Sequence, residues 1–292
     1  MWLKDDNILE LLKEWWNATK VSRSGIFKIV NKLKIIKQNL IHWNKEHFGN
    51  IFDNKAQVEA DLVEVNEKVM RHGIDEAVFL REKKLLTDHE SILAKEEVFW
   101  KQKSRETWLE EGDKNTKFFH NSVRMRRVIN HISKINLSDG SEVANPKSIA
   151  TEAVDIFSLI LNFDWSPHGS IQDKFIRCIP KLLSKGQTNS LTAKFSLAEV
   201  EATLMQMSPD KSPGSDGFLT SFFKKCWPFL GVEVTTALEG MRNLGSILKE
   251  INNTFLALIP KKDKPEHFDE FGSIALCNTI YKLFSKTLAN RI

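Results

Sequence analysis

The sequence predicts a mainly α protein with a small β component, and three observations carry that prediction. Much of the first hundred residues places apolar side chains at helical spacing, as in Ile26, Val30, Leu33, Ile36, Leu40 and Trp43. Asp139-Gly140 stands between two short apolar runs, the pattern of a tight hairpin. Thr254-Phe255-Leu256-Ala257-Leu258-Ile259 is a short apolar run closed by Pro260, with the form of a buried strand, although the pattern also fits a buried helical segment. At 292 residues the chain is long enough for two domains and a sizeable core.

The amino-terminal region reads as helix after helix. Lys28, Lys32, Lys34 and Lys37 surround the apolar face that begins at Ile26. After a break at Gly49-Asn50, Val58, Leu62, Val65 and Val69 repeat the pattern, and Gly73 supplies a carboxyl-terminal stop. A third run extends from Asp75 to about Trp108 through Val78, Leu85, Ile92 and Phe99. Long helices with polar flanks and short breaks predict an antiparallel helical hairpin or a loose bundle. Trp15, Trp16 and Trp43 read as core anchors beside solvated lysines; the competing reading has the lysines meeting phosphates and Trp43 stacking on a base.

The period then changes. Ile129, Ile132, Ile135 and Leu137 lead into Asp139-Gly140, and Val143 follows, so two short strands flank the turn. Asn145-Pro146 has the form of a helix start, Asn as cap and Pro in the first turn, ahead of Ile149, Val154, Phe157 and Ile160. Pro167, Gly169, Pro180 and Gly186 mark an irregular connection. Ser196 and Glu199 fit a capping box, with Leu197, Val200, Leu204 and Met207 on one face of the helix they open. Pro209 ends it, and Asp210 to Gly217 is a turn-rich loop followed by more helix. Lys261 and Lys262 stand directly behind the 254–259 run, then a loop, then a closing helix. Asn278 is placed to cap that helix, whose stripe is Ile280, Leu283, Phe284, Thr287 and Leu288.

Composition narrows function only a little. Lys plus Arg at 42 against Asp plus Glu at 38 gives a net charge of +4, too mild to demand a polyanionic partner. The three cysteines, Cys178, Cys226 and Cys277, are too far apart for a disulfide framework and fit a reducing compartment. No signal peptide and no membrane span is predicted, so the expected place is intracellular, in cytoplasm or nucleus, with no membrane partner. His120, His131 and His168 are scattered with no cysteine at ligand spacing, so no metal site is assigned. Asp210 and Asp216 read as caps on backbone N–H groups, and Cys226 as a small core residue beside Trp227. Arg124-Met125-Arg126-Arg127 is the sharpest charged cluster. Its three guanidiniums could grip phosphates or simply form a solvated face.

Ordered strings along the chain carry a resemblance. Lys211-Ser212-Pro213-Gly214-Ser215-Asp216-Gly217-Phe218 is followed by Phe222-Phe223-Lys224-Lys225-Cys226-Trp227, then by the run from Ile251 to Lys261, then by Phe271 to Arg291. Upstream, Phe99-Trp100-Lys101-Gln102-Lys103-Ser104-Arg105 precedes Trp108-Leu109 and the segment Glu111 to His120. From Phe99 to Ile292 the chain resembles the reverse transcriptases of plant LINE-type (non-LTR) retrotransposons, and in the first hundred residues only their style. The resemblance implies four segments: a helical connector region over 1–127, a β-hairpin and helix over 128–162, an irregular linker over 163–195, and the amino-terminal fingers part of a reverse-transcriptase domain over 196–292, truncated before the palm.

That resemblance implies roles as well. Lys261 matches the basic residue near the incoming triphosphate. Where the family usually carries Phe-Arg-Pro-Ile-Ser-Leu, this chain has Phe271-Gly272-Ser273-Ile274-Ala275-Leu276, so a glycine stands in place of a triphosphate-gripping arginine. Lys117, Arg124, Arg126 and Arg127 fall in a segment expected to lead an RNA or DNA template. The family's catalytic aspartates lie further downstream, so no catalytic residue is assigned, and residues 1–292 are expected not to polymerise. Magnesium is expected for the complete family enzyme and not for this fragment. Alternative readings are a non-catalytic nucleic-acid-binding protein and a structural helical protein that docks a partner. With later elements absent, the stripe Ile280 to Leu288 and the strand Phe255 to Ile259 are expected to stay in water, leaving residues after about Ser196 loosely packed and prone to self-association.

Overall fold

The computed structural model describes residues 2, 7–21, 25–104, 116–137, 139–162, 177–178, 180 and 183–292. Its architecture is mainly helical, with two small antiparallel sheets among the described residues. The main core joins the two ends of the chain. Helices α1 (Ile8–Ala18) and α2 (Ile26–Trp43) pack against a long central helix, which is α9 (Thr220–Leu244) in chain order. Helix α8 (Leu197–Gln206) and the closing helix α11 (Thr279–Ala289) complete the cluster.

Apolar spacing explains each partner. Ile8, Leu12 and Trp16 lie four apart on α1, and Ile29, Leu33, Ile36 and Leu40 repeat on one face of α2. Helix α9 turns a broad apolar face to the core, on which Phe223, Cys226, Leu230, Val234, Leu238 and Met241 recur every three or four residues and are all buried. The Trp227 ring lies over Gly231 one turn on, so closely that a Cβ there would come within 2.8 Å of it. Lys32 is the exception to a solvated lysine face on α2. It is buried, 2.9 Å from Glu233 Oε1, with its ammonium 4.7 Å from the centre of the Trp16 ring. Lys28 reaches the same carboxylate oxygen at 3.2 Å.

The intervening chain forms an arm. Helix α2 runs through a π-helical turn (Asn44–Phe48) to Gly49, and Asn50 caps α3 (Ile51–His72) by accepting from the Phe52 N–H at 3.0 Å. Gly73, with φ of 79°, ends α3, and α4 (Glu76–Ser104) returns antiparallel to it. The sequence-based hairpin over these residues is therefore present. Helix α5 (Thr116–Ile129) then lies against α4 through Phe119 and Val123. The stretch around Trp108 and Asn115 lies outside the described residues.

Beyond α5, strands β1 (Ile135–Asn136) and β2 (Glu142–Val143) pair antiparallel around Gly140, as the Asp-Gly signal predicts. Asn145 accepts from the Lys147 N–H at 2.9 Å and opens α6 (Pro146–Leu161). Most of the expected 163–195 linker lies outside the described residues; its last part holds α7 (Lys185–Thr192), opened by a Ser184–Gln187 capping box. The Ser196–Glu199 capping box on α8 is formed as expected. A short helix α10 (Lys249–Asn252) leads into β3 (Thr254–Pro260), which pairs antiparallel with β4 (Phe271–Cys277).

Three expectations are corrected here. The stretch 271–277 is a strand rather than a loop, paired with β3 over its whole length. The β3 strand does not have the burial its apolar pattern suggests, and its outer part stands in water as expected from the resemblance: Phe255 is 58% exposed and Leu256 40%. The α11 stripe, by contrast, is not left in water, because α8 and α9 cover Ile280, Leu283, Phe284 and Thr287. A smaller cluster of Ile135, Ile149, Phe268 and Phe271 ties the far end of the β3–β4 hairpin to β1, β2 and α6. The Asn136 N–H donates to Glu266 O at 2.8 Å across the same junction.

Candidate nucleic-acid interface

Helix α5 carries no acidic residue and four cations, Lys117, Arg124, Arg126 and Arg127. The helix divides the arginines by phase. Arg126 shares spacing with Phe119 and Val123, the face turned to α4, and its guanidinium donates to the Ser104 carbonyl at the end of α4. A cation at a helix carboxyl terminus satisfies an orphan carbonyl and meets the negative end of the helix dipole, so Arg126 has a structural task. Arg124 and Arg127 lie three apart on a different face and point into a cleft of about 260 Å³. No ion-pair partner is found for either among the described residues. Lys117 is exposed one turn before His120 on the same side of α5.

The other wall of the cleft is aromatic. Trp100, on the last turns of α4, meets the His120 ring edge-to-face at 4.6 Å and 84°. Phe99 at 5.2 Å and Phe52 of α3 at 5.9 Å back the indole, and its N–H points at Glu96 Oε1, 3.4 Å away. The Lys103 ammonium sits 4.4 Å from the centre of the Phe99 ring and 5.7 Å from that of Trp100. A supported aromatic surface and two arginines thus line the same gap. Sequence reasoning found the arginines but not Trp100 and His120 as their companions. The signal was the recurrence of aromatics at 99–100 and 118–120, twenty residues apart, which only the α4–α5 corner brings together.

The second predicted site lies at the far end of the β3–β4 hairpin. Lys261 follows β3 directly, is exposed, and its ammonium donates to Asp269 O at 2.9 Å. The register pairs Ile259 with Gly272, and a Cβ on Gly272 would lie 3.9 Å from Lys261 Cε. Positions 261 and 272 are neighbours, with room for a side chain. Lys262 pairs with Glu270 at 2.6 Å, and that contact, helped by the Glu266 and His267 N–H groups, pulls the Glu270 carboxyl down to about 2.

The loop Asp210 to Gly217 serves the scaffold. Gly214 packs against Asn278 so tightly that a Cβ would come 2.3 Å from Asn278 Oδ1. That oxygen accepts from Ser215 Oγ at 3.2 Å and from the Asp216 N–H at 3.1 Å, while Asn278 Nδ2 donates to Glu250 O and Ile251 O. The expected side-chain cap on α11 is therefore absent, because the Asn278 amide is committed to clamping three segments together. Asp216 accepts from the Phe218 N–H at 3.1 Å, the capping role read from the sequence, and burial pushes its carboxyl above the ordinary range. Cys226 is a core residue whose thiol burial pushes up to about 12, which removes it as a nucleophile. Among the described residues no group of three His, Cys, Asp or Glu side chains comes together to hold a metal, and no helix is long and apolar enough to cross a membrane.

No protein-family model matches the chain. The chain is similar to the Transposon TX1 uncharacterized 149 kDa protein of Xenopus laevis, 23% identical over 286 residues. The match covers 96% of this chain and 20% of the frog protein, so the chain spans about a fifth of the length of the curated relative it matches.

Proposed function

We propose that this chain is a transposable-element protein, part of the RNA-directed DNA polymerase of a plant LINE-type retrotransposon, holding the connector and fingers of that enzyme. The likeness to a transposon protein over nearly the whole chain supports the coarse part of this reading. The finer part is carried by one observation: the β3–β4 register sets Gly272 beside Lys261, the two positions to which the family resemblance gives contact with an incoming triphosphate. A lysine at a strand end is a mobile point charge suited to phosphate. Gly272 contributes neither charge nor donors, so the site holds half of the grip. In the same reading Lys117, Arg124 and Arg127 meet template phosphates, and Arg126 braces the corner that presents them. Magnesium would come with residues other than those described here, and no step is routed through it.

Titration of the protein with a fluorescent deoxynucleoside triphosphate tests the hairpin. Wild type should bind weakly, Lys261→Ala more weakly still, and Gly272→Arg roughly tenfold more tightly, as one new charge-assisted contact allows. If affinity responds to neither substitution while both variants stay folded, the hairpin is not a triphosphate site.

A further inference from the structure

We infer that the α4–α5 cleft is a subsite for one unpaired nucleotide of a single strand, its base against Trp100 and His120 and its phosphate between Arg124 and Arg127. The inference rests on the nucleic-acid reading above and goes further, since it selects single strands over duplex and assigns Trp100 and His120 to the site.

Four observations converge. The cleft, at about 260 Å³, is smaller than the pockets of ~300–1,000 Å³ that enclose drug-sized ligands, and it admits one flat ring with its phosphate at the mouth. Its aromatic wall is fixed from behind, because Phe52 and Phe99 pack on Trp100 and leave the indole little freedom to turn away. A held ring offers a stacking surface without an ordering cost at binding. Its two guanidiniums are unclaimed by any carboxylate among the described residues, whereas Arg126 on the same helix is already engaged. Finally, among the described residues the cleft is lined by Trp100, His120, Val123, Arg124 and Arg127, with no acidic side chain in that lining.

The geometry also argues against duplex. A base within a double helix has its faces covered by its neighbours and cannot reach a recessed ring, so stacking here requires a base free to swing out. Contacts to phosphate alone would not discriminate between the two.

The test uses the full chain and a short single-stranded RNA carrying one 2-aminopurine, alongside the same RNA annealed to its complement. Wild type should quench 2-aminopurine in the single strand and bind that strand at least several-fold more tightly than the duplex. Trp100→Leu, which keeps bulk but no aromatic face, should abolish the quenching and weaken single-strand binding roughly tenfold, while Trp100→Phe retains most of both. Arg124→Ala with Arg127→Ala should lower the salt dependence of single-strand binding by roughly 1.4 units of slope. Equal binding of single strand and duplex, with Trp100→Leu without effect and the arginine pair still needed, would overturn the nucleotide subsite yet leave the nucleic-acid reading in place. No binding of either RNA at low salt would overturn both.

Discussion

The core and the arm of this molecule are built from the same kind of helix and held by different forces. In the core, α9 is surrounded by α1, α2, α8 and α11, and side chains such as Phe223, Leu230 and Leu238 are removed from water completely. In the arm, α3 and α4 run 22 and 29 residues, yet Ile51, Val65 and Leu85 are the only apolar side chains buried on them. Polar contacts stitch the rest: Lys55 to Glu96 at 2.8 Å, His89 to Glu59 at 3.4 Å, and Arg81 to Glu64 at 3.6 Å. The lesson concerns where rigidity comes from. Burial of apolar area is the dominant favourable term in folding, and partly solvated ion pairs add little. The core is thus the stable platform, and the arm that bears the Trp100–Arg124 cleft is its compliant attachment.

The most direct way to break this comparison is to cut one leucine from each side. Leu230 is 0% exposed in the middle of α9, and Leu85 is 9% exposed in the middle of α4. Leu230→Ala should cost about 3–5 kcal/mol, because rigid neighbours on every side keep the cavity open. Leu85→Ala should cost about 2 kcal/mol, since a two-helix seam can close over the gap. Chemical denaturation measures both, and native-state hydrogen exchange locates them. Amides of α9 should be protected far better than those of α4 in wild type, the reverse of the order that loose packing after Ser196 would give. Equal costs for the two substitutions would mean that the arm is as firmly packed as the core.

A glycine sharpens the same contrast at intermediate size. The clamp of Asn278 on the Gly214 loop closes the core where α11 begins, and it leaves no space for a methyl group. Gly214→Ala should destabilise by about 1–3 kcal/mol through overpacking against backbone atoms, which cannot rotate away. Gly73→Ala, at the turn of the arm, meets no neighbour, and strain arises there only from its φ of 79°. Its cost should be about 1 kcal/mol. Melting temperatures of the two variants rank them. If Gly73→Ala proves the more damaging, the clamp is looser than its distances imply.

How much of this was legible in the sequence follows the range of the interactions. Signals that act within one turn were read correctly: the Ser196–Glu199 box, the Asn145 cap, the Gly73 stop and the Asp139-Gly140 hairpin. Contacts between distant parts of the chain were not. Nothing local to Lys32 announces Glu233, 201 residues away, so its burial was missed, as was the cover that α8 and α9 give to the α11 stripe. Strand β4 was hidden because Gly272-Ser273 interrupts its apolar run, and pairing with β3 supplies the order that its own composition lacks. At the candidate site the charge was visible and its division was not. Arg124 and Arg127 part from Arg126 only once the face of α5 that meets α4 is known.

The smallest expected difference lies in pH, at the rim of the core. Glu239 accepts from Arg242 Nε at 2.9 Å and from the Phe195 N–H at 3.1 Å, so it holds α9 to the start of α8. The Arg242 contact comes first among the causes that lower its carboxyl from the ordinary 4.5 to about 2, against opposing desolvation. A depressed carboxylate contributes stability that is present above its unfolded value and lost as pH falls through its folded one. The contribution should therefore be whole above about pH 4.5 and fade between there and about pH 2. Because Arg242 is partly solvated and salt screens the pair, its size should be only about 0.5–1 kcal/mol. Urea midpoints measured at pH 5.5 and pH 3 would read it: wild type should lose more across that interval than Glu239→Gln, and added salt should shrink the gap. In the arm the contact of Lys55 with Glu96 acts at the other end of the scale. Its hydrogen bond holds the Lys55 ammonium above the ordinary 10.5, so as pH rises that contribution fades only in strong alkali. A wild-type acid loss that Glu239→Gln leaves unchanged would move the acid sensitivity away from this corner of the core.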